Sequence, residues 1–149
     1  METLRLLEGV VDIYMPDIKF LDPSVAQRFC RAPDYPDLVR QATREMHRQV
    51  GDLVLDSRGI ATRGLLVRHL VMPHGLAQSR EVMEFLAREI STDTYLNIMD
   101  QWRPCGEAHC YPELSRGISP REYSEALEAA RAAGLHRLDS RRRGIVFRI

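Results

Sequence analysis

Apolar and polar residues are arranged along Val10–Phe20, read VVDIYMPDIKF, in a way that organises the rest of the chain. A strand sends successive side chains to opposite faces. Val11, Ile13, Met15, Asp17 and Lys19 therefore share one face, and Asp12, Tyr14, Pro16, Ile18 and Phe20 share the other. Both faces are apolar until the last few residues, the pattern of a buried parallel strand over residues 10–19. Two further runs read as strands: LLVRHLVM over residues 65–72, with a charge inside it, and YLNIMDQ over residues 95–101.

Helical periodicity fills the intervals. Residues 2–8 predict a short helix with Leu4 and Leu7 on one side, ended by Gly9. Asp22-Pro23 reads as an N-cap followed by proline at the first helical position, for a short helix to about Phe29. Between about Pro36 and Gln49, Val39, Ala42, Met46 and Val50 recur at helical spacing opposite Arg40, Arg44 and Arg48, and Gly51 stops the helix. Residues 52–63 predict a hairpin turning at Asp56-Ser57-Arg58-Gly59 and running without a break into the second strand. After a Pro73-His74-Gly75 turn, Ser79 is expected to cap a helix to about Ile90, with Val82, Phe85, Leu86 and Ile90 inward. Ser119-Pro120-Arg121-Glu122 has the serine, proline and glutamate of a capping box, and Gly134 ends the helix it starts. The chain closes with an apolar segment, Gly144–Ile149, read as an edge strand or a disordered tail.

Strands alternating with helices imply parallel pairing through right-handed crossovers. The polar positions of the three strands then gather on one inner surface: Asp17, Lys19, Arg68, Asn97 and Gln101. Asp17 and Lys19 fall at the carboxyl end of their strand, where ligands bind in open α/β sheets and barrels. A plain ion pair closing the rim of the sheet explains the same two residues. Three predicted strands leave two open edges, so the chain reads as part of something larger.

Composition narrows the partners. The 149 residues carry 21 Lys and Arg against 21 Asp and Glu, so no global charge favours nucleic acid or an anionic membrane. The basic run Arg141-Arg142-Arg143 reads as a solvated tail, placed in a terminal segment 140–149 apart from a domain over 1–139. No apolar run approaches the ~20 residues of a membrane helix, and the amino terminus does not read as a signal peptide. Three cysteines, Cys30, Cys105 and Cys110, do not suggest a disulfide framework, which points to a cytoplasmic setting.

The runs YMPDIKFLD, EMHRQVG, GLLVRHLVMPHG, YLNIMDQWRP and YPELSRGIS occur in this order between Met1 and Asp139. Together they closely resemble the carboxyl-terminal half of radical S-adenosylmethionine proteins, in the pyruvate formate-lyase activating enzyme-like branch. The resemblance implies an α/β fold, the (βα)3 half of a six-stranded partial TIM-type barrel with a small β-hairpin insertion. It implies S-adenosylmethionine and a 4Fe–4S cluster as cofactors of the complete protein, with reductive cleavage to a 5′-deoxyadenosyl radical. Asp17 and Lys19 match the aspartate and lysine that end the fourth strand and help seat S-adenosylmethionine. Arg68 matches the arginine of the fifth strand. Gln101 falls where the family has a histidine at the end of the sixth. The C-x-x-x-C-x-x-C cluster motif and the Gly-Gly-Glu of the second strand do not occur in these residues. The chain is therefore expected to be a fragment, a truncated frame or one half of a split protein. Alone it should bind no cluster and be inactive. Its expected partners are a missing amino-terminal half or a second copy across the open edges, with a protein as a possible substrate.

Other residues offer different chemistry. Cys105, His109 and Cys110 match no zinc-finger spacing and read as loop residues. Cys30 reads as a small apolar core residue. Lys19 is a candidate Schiff-base lysine of an aldolase-like enzyme. His69 lies on the strand face opposite Arg68 and reads as packed beneath a helix. A non-catalytic module that binds a nucleotide or partner protein through the same pocket stands beside the two enzyme readings.

Overall fold

A computed structural model describes residues 1–139. The predicted tail with Arg141-Arg142-Arg143 and the closing apolar segment lies outside the described residues. In order, the elements are α1 (Glu2–Leu6), β1 (Ile13–Tyr14), β2 (Asp17–Ile18), α2 (Pro23–Cys30), α3 (Tyr35–Val50), β3 (Val54–Leu55), β4 (Ala61–Leu70), α4 (Ser79–Phe85), β5 (Tyr95–Met99) and α5 (Pro120–Ala132). Five strands form an open, partly parallel sheet around β4, giving an α/β fold with five helices. β1, β2 and β5 run parallel to β4, and β3 alone is antiparallel.

The stretch expected as one strand is interrupted at Met15-Pro16. β1 and β2 nevertheless keep a single register on β4, Tyr14 opposite Leu65 and Asp17 opposite Arg68. Pro16 causes the break. Its carbonyl accepts the Arg68 N–H at 2.9 Å, but its nitrogen has no hydrogen to donate to the ladder. The predicted hairpin is present, and its second arm is the beginning of β4, a strand of 10 residues.

Helices cover one face of the sheet only. Tyr14, Ile18, Leu65, Val67 and Leu96 meet Val39, Val82, Leu86 and Ala130 in the main core. Each large side chain buried there contributes about 1.5–3 kcal/mol. Two-sided burial of the first strand is thus corrected: Ile13 is 38% exposed and Met15 54%, on the face away from the helices. β1 and β2 form an edge with one covered side, so their outward apolar residues meet solvent.

Two predicted caps have different outcomes. Asp22 accepts the Ser24 and Val25 N–H groups as expected, with Pro23 opening α2. Ser79 does not cap α4. Gln78 occupies that position at φ 52°, and the Ser79 hydroxyl lies 2.9 Å from His69 Nε2 instead. The last turn of this helical segment, Leu86–Ile90, widens to π geometry before Ser91. α5 has the full capping box between Ser119 and Glu122.

Candidate functional site

Strand register builds the centre of the site. Asp17 pairs with Arg68, and Arg68 pairs with Asn97, so the three stand side by side across β2, β4 and β5. They lie on the face that the helices leave open. Arg68 donates to Asp17 twice, Nε to Oδ1 at 2.6 Å and Nη2 to Oδ2 at 3.1 Å. Lys19, two residues further along, reaches Asp17 Oδ2 at 3.4 Å. Desolvation pushes the Asp17 carboxyl up, but the hydrogen bonds from Arg68 and the charge of Lys19 outweigh it and hold the carboxyl below the ordinary aspartate value. The hydrogen bonds from Arg68 to Asp17 raise the arginine in turn.

The pair is only half sheltered. The Asp17 side chain is 31% exposed, Arg68 36% and Lys19 50%. Partly exposed ion pairs contribute about 1 kcal/mol or less to stability. The row is therefore a poor source of fold stability, and its donors remain reachable from the open face. Gln101 falls beyond the last residue of β5. Its amide contacts the Met99 sulfur at 3.3 Å, so the structure does not bring it into the row.

Residues that sequence reasoning passed over hold this row in place. Tyr35, at the start of α3, donates its hydroxyl to the Asp17 carbonyl at 3.1 Å and accepts the Lys19 N–H at 3.0 Å. The Gln78 side-chain carbonyl accepts the N–H groups of Leu21 and Asp22, each at 2.8 Å, fastening the loop after β2 to the loop after β4. Glu122 accepts from His74 N–H at 2.6 Å and from both Arg116 amino groups, fastening the loop after β4 to the loop after β5. Arg116 holds the Glu122 carboxyl far below the usual glutamate range. A periodic reading detects the capping role of Glu122 but carries no signal for these contacts between loops.

Because Glu122 joins a cap to two loops, its truncation should cost more than loss of the cap alone. Glu122→Ala is expected to lower stability by about 2 kcal/mol and Ser119→Ala by about 1 kcal/mol. Urea denaturation of both variants checks the order; equal losses would show that the loop contacts add nothing.

Beyond the row, at the carboxyl ends of β2, β4 and β5, lies a cavity of about 560 Å³. Lys19, Leu70 and Met72 form its sheet side, and Phe29, Trp102 and Tyr111 are among its walls. Cys30 and Cys105 both line it, and both are exposed. Cys30 is thus not the core residue expected from its helix. It ends α2, which the fold brings against the loop after β5. Among the described residues no three His, Cys, Asp or Glu side chains are grouped to hold a metal ion. No helix is long and apolar enough to cross a membrane among the described residues.

Comparison with known proteins adds a relationship of sequence. The chain is 29% identical over 130 residues to an uncharacterized protein, MJ0674, of Methanocaldococcus jannaschii, a match covering 87% of this chain and 34% of that protein. The chain spans about a third of the length of this curated relative. No family model matches the chain, and no solved structure matches it.

Proposed function

We propose that the chain is the carboxyl-terminal, S-adenosylmethionine-binding half of a radical S-adenosylmethionine domain, of the pyruvate formate-lyase activating enzyme-like branch. On this reading, the edge formed by β1 and β2, then β4, then β5, are the fourth, fifth and sixth strands of a six-stranded partial barrel. β3 with the start of β4 is the hairpin insertion. The carrying observation is the row Asp17, Arg68 and Asn97 in register across three parallel segments on the open face, with Lys19 beside it.

The chemistry of the row fits the ligand. S-adenosylmethionine offers a carboxylate, an ammonium, a ribose diol and an adenine. Lys19 and Arg68 supply charge-assisted donors for a carboxylate, Asp17 supplies an acceptor for an ammonium or hydroxyl, and the Asn97 amide both donates and accepts. Arg68 orients Asp17 through two parallel hydrogen bonds, leaving the remaining carboxylate lone pairs for ligand. Gln101 is assigned to the rim, with an amide where the family has an imidazole. When bound to a reduced 4Fe–4S cluster, S-adenosylmethionine supplies a 5′-deoxyadenosyl radical. The described residues do not fit the cluster itself, because no three thiolates meet at one loop. The reading therefore places the cluster on a partner barrel half. That half would also cover Ile13 and Met15, exposed on the face away from the helices. A second copy of the chain is the alternative cover. Geometry disfavours the aldolase reading, since a Schiff-base lysine needs desolvation and Lys19 is half exposed and paired with Asp17.

The test is equilibrium binding of S-adenosylmethionine to the full chain combined with a barrel half carrying C-x-x-x-C-x-x-C, followed by dithionite under anaerobic conditions. The combination is expected to release 5′-deoxyadenosine, and the 149-residue chain alone to release none. Arg68→Ala should weaken binding by roughly 2 kcal/mol, about 30-fold, through loss of a charged donor. Unchanged affinity in that variant, with the fold intact by circular dichroism, would remove Arg68 from the site. Stoichiometric cluster assembly by the chain alone would overturn the half-domain reading.

A further inference from the structure

The cavity at the carboxyl end of the sheet has an aromatic wall beside basic side chains. We infer that it is a ligand site in its own right, selective for a small organic anion with an apolar, ring-sized body, such as an aromatic or branched carboxylate. Its position beside the Asp17–Arg68 row makes this ligand the candidate radical acceptor, and that role alone rests on the function proposed above.

Size and lining set the class of ligand. A volume of about 560 Å³ falls among small-molecule sites, which run from about 300 to 1,000 Å³. Phe29 and Tyr111 meet edge to face with centroids 5.3 Å apart, making a rigid aromatic wall. Leu70 and Met72 close the sheet side. Such a lining takes a flat or branched apolar body.

Charge sets the sign. Lys19, Arg28 and Arg31 line the cavity, against Glu107 as its acidic member. Asp17 pairs with Lys19 and Glu113 with Arg28, which offsets those two charges. Arg28 is fixed by Glu113 and by stacking over the Phe29 ring at 5.4 Å. Arg31 makes no ion pair among the described residues, and its guanidinium has the fork geometry that matches a carboxylate. It stands at the C-cap of α2 with φ 55°, a backbone conformation that glycine adopts with less strain.

The protein carries its own reporters. Cys30 and Cys105 line the cavity, whereas Cys110 is exposed and does not. The same thiolate displaces iodide from iodoacetate and from iodoacetamide, so the ratio of their rates at one cysteine cancels its acidity and nucleophilicity. What remains is the local preference for a negative reagent. In low salt the iodoacetate-to-iodoacetamide ratio at Cys30 and Cys105 should exceed that at Cys110 by about threefold or more, and the excess should shrink as salt is added. Arg31→Gln, an exposed substitution, should bring the ratio back toward that of Cys110. Millimolar 4-phenylbutyrate should protect Cys30 and Cys105 from iodoacetamide and spare Cys110, while 4-phenylbutylamine should protect none of them. Peptide mass spectrometry of the full chain reads every arm without a cluster. Equal ratios at all three cysteines, a ratio lowered by Glu107, or equal protection by acid and amine would each overturn the site. Arg68→Ala should retain the ratio. Failure of the adenosyl reading and failure of the cavity therefore give different results.

Discussion

Gly64→Ala should come close to unfolding the protein. Gly64 lies inside β4 at φ 113°, where an L side chain is strained wherever it points. Space is also lacking. A Cβ at this position would overlap the backbone of Asp52 and Leu53. The crowding has a structural cause. On one side the Gly64 N–H donates to the Asp12 carbonyl at 2.8 Å, which anchors the edge strand. On the other, Leu65 N–H donates to the Gly51 carbonyl at 2.9 Å, drawing the end of α3 against the same strand. The two neighbours approach because β4 has no side chain there. Backbone cannot swing aside as a flexible side chain would, so the expected loss is about 4 kcal/mol. That is most of the stability of a marginal domain, roughly 5–15 kcal/mol. Gly59→Ala is the control: Gly59 has φ 76° but nothing within 4 Å of the added atom. It should cost about 1 kcal/mol from backbone strain alone. Urea midpoints of the two variants separate strain from overlap, and similar losses would mean that the β4 neighbours can move apart.

The frame of the fold was readable because it rests on local signals. Asp22-Pro23 and Ser119-Pro120-Arg121-Glu122 start helices where their side chains satisfy backbone donors, and both caps form. The heptad-like recurrence of Val39, Met46 and Val50 marks the inner side of α3, with Val39 and Val50 buried. Alternation in the first strand correctly put Asp17 and Lys19 together, and the phase of β4 correctly put Arg68 on one face and His69 on the other. What remained hidden depends on neighbours far along the chain. Gly64 has no distinguishing context in sequence, since a glycine in a strand marks either a bulge or a close approach. Cys30 at the end of an amphipathic helix resembles a core residue until the loop after β5 is seen to leave it facing a cavity. Ser79 has the composition of a cap, but the buried imidazole of His69 claims its hydroxyl. Tyr35, Gln78 and Glu122 fasten loops across 16 to 57 positions of sequence, distances at which periodicity carries no information.

Between pH 6.5 and about 4 the protein should lose roughly 3 kcal/mol of stability through His69 alone. The side chain is fully buried between Ile18 and Ile98 on the covered face of the sheet. Its Nδ1 lies 2.9 Å from the Ile18 carbonyl, which can only accept, so the proton sits on Nδ1. Nε2 then accepts from the Ser79 hydroxyl at 2.9 Å. This arrangement satisfies the neutral ring and offers no counter-charge to an imidazolium. Burial pushes the histidine down to about 4, although its hydrogen bond to the Ile18 carbonyl acts in the opposite direction. An unfolded chain binds a proton at this residue below pH 6.5, whereas the folded chain binds it only below about 4. Acid therefore draws the equilibrium toward the unfolded state, and the contribution is complete above pH 6.5. The window stands clear of the carboxylates: Asp17 and Glu122 are held low, and their contributions fall away only below their unfolded values near 4. His69→Gln keeps an acceptor for Ser79 but cannot titrate. It should be less stable than the parent at pH 7.5 and nearly flat down to pH 4.5, so the two stability curves converge on acidification. Chemical denaturation of both proteins at half-unit pH steps measures the convergence, and parallel curves would show that His69 takes up its proton as readily in the folded as in the unfolded chain.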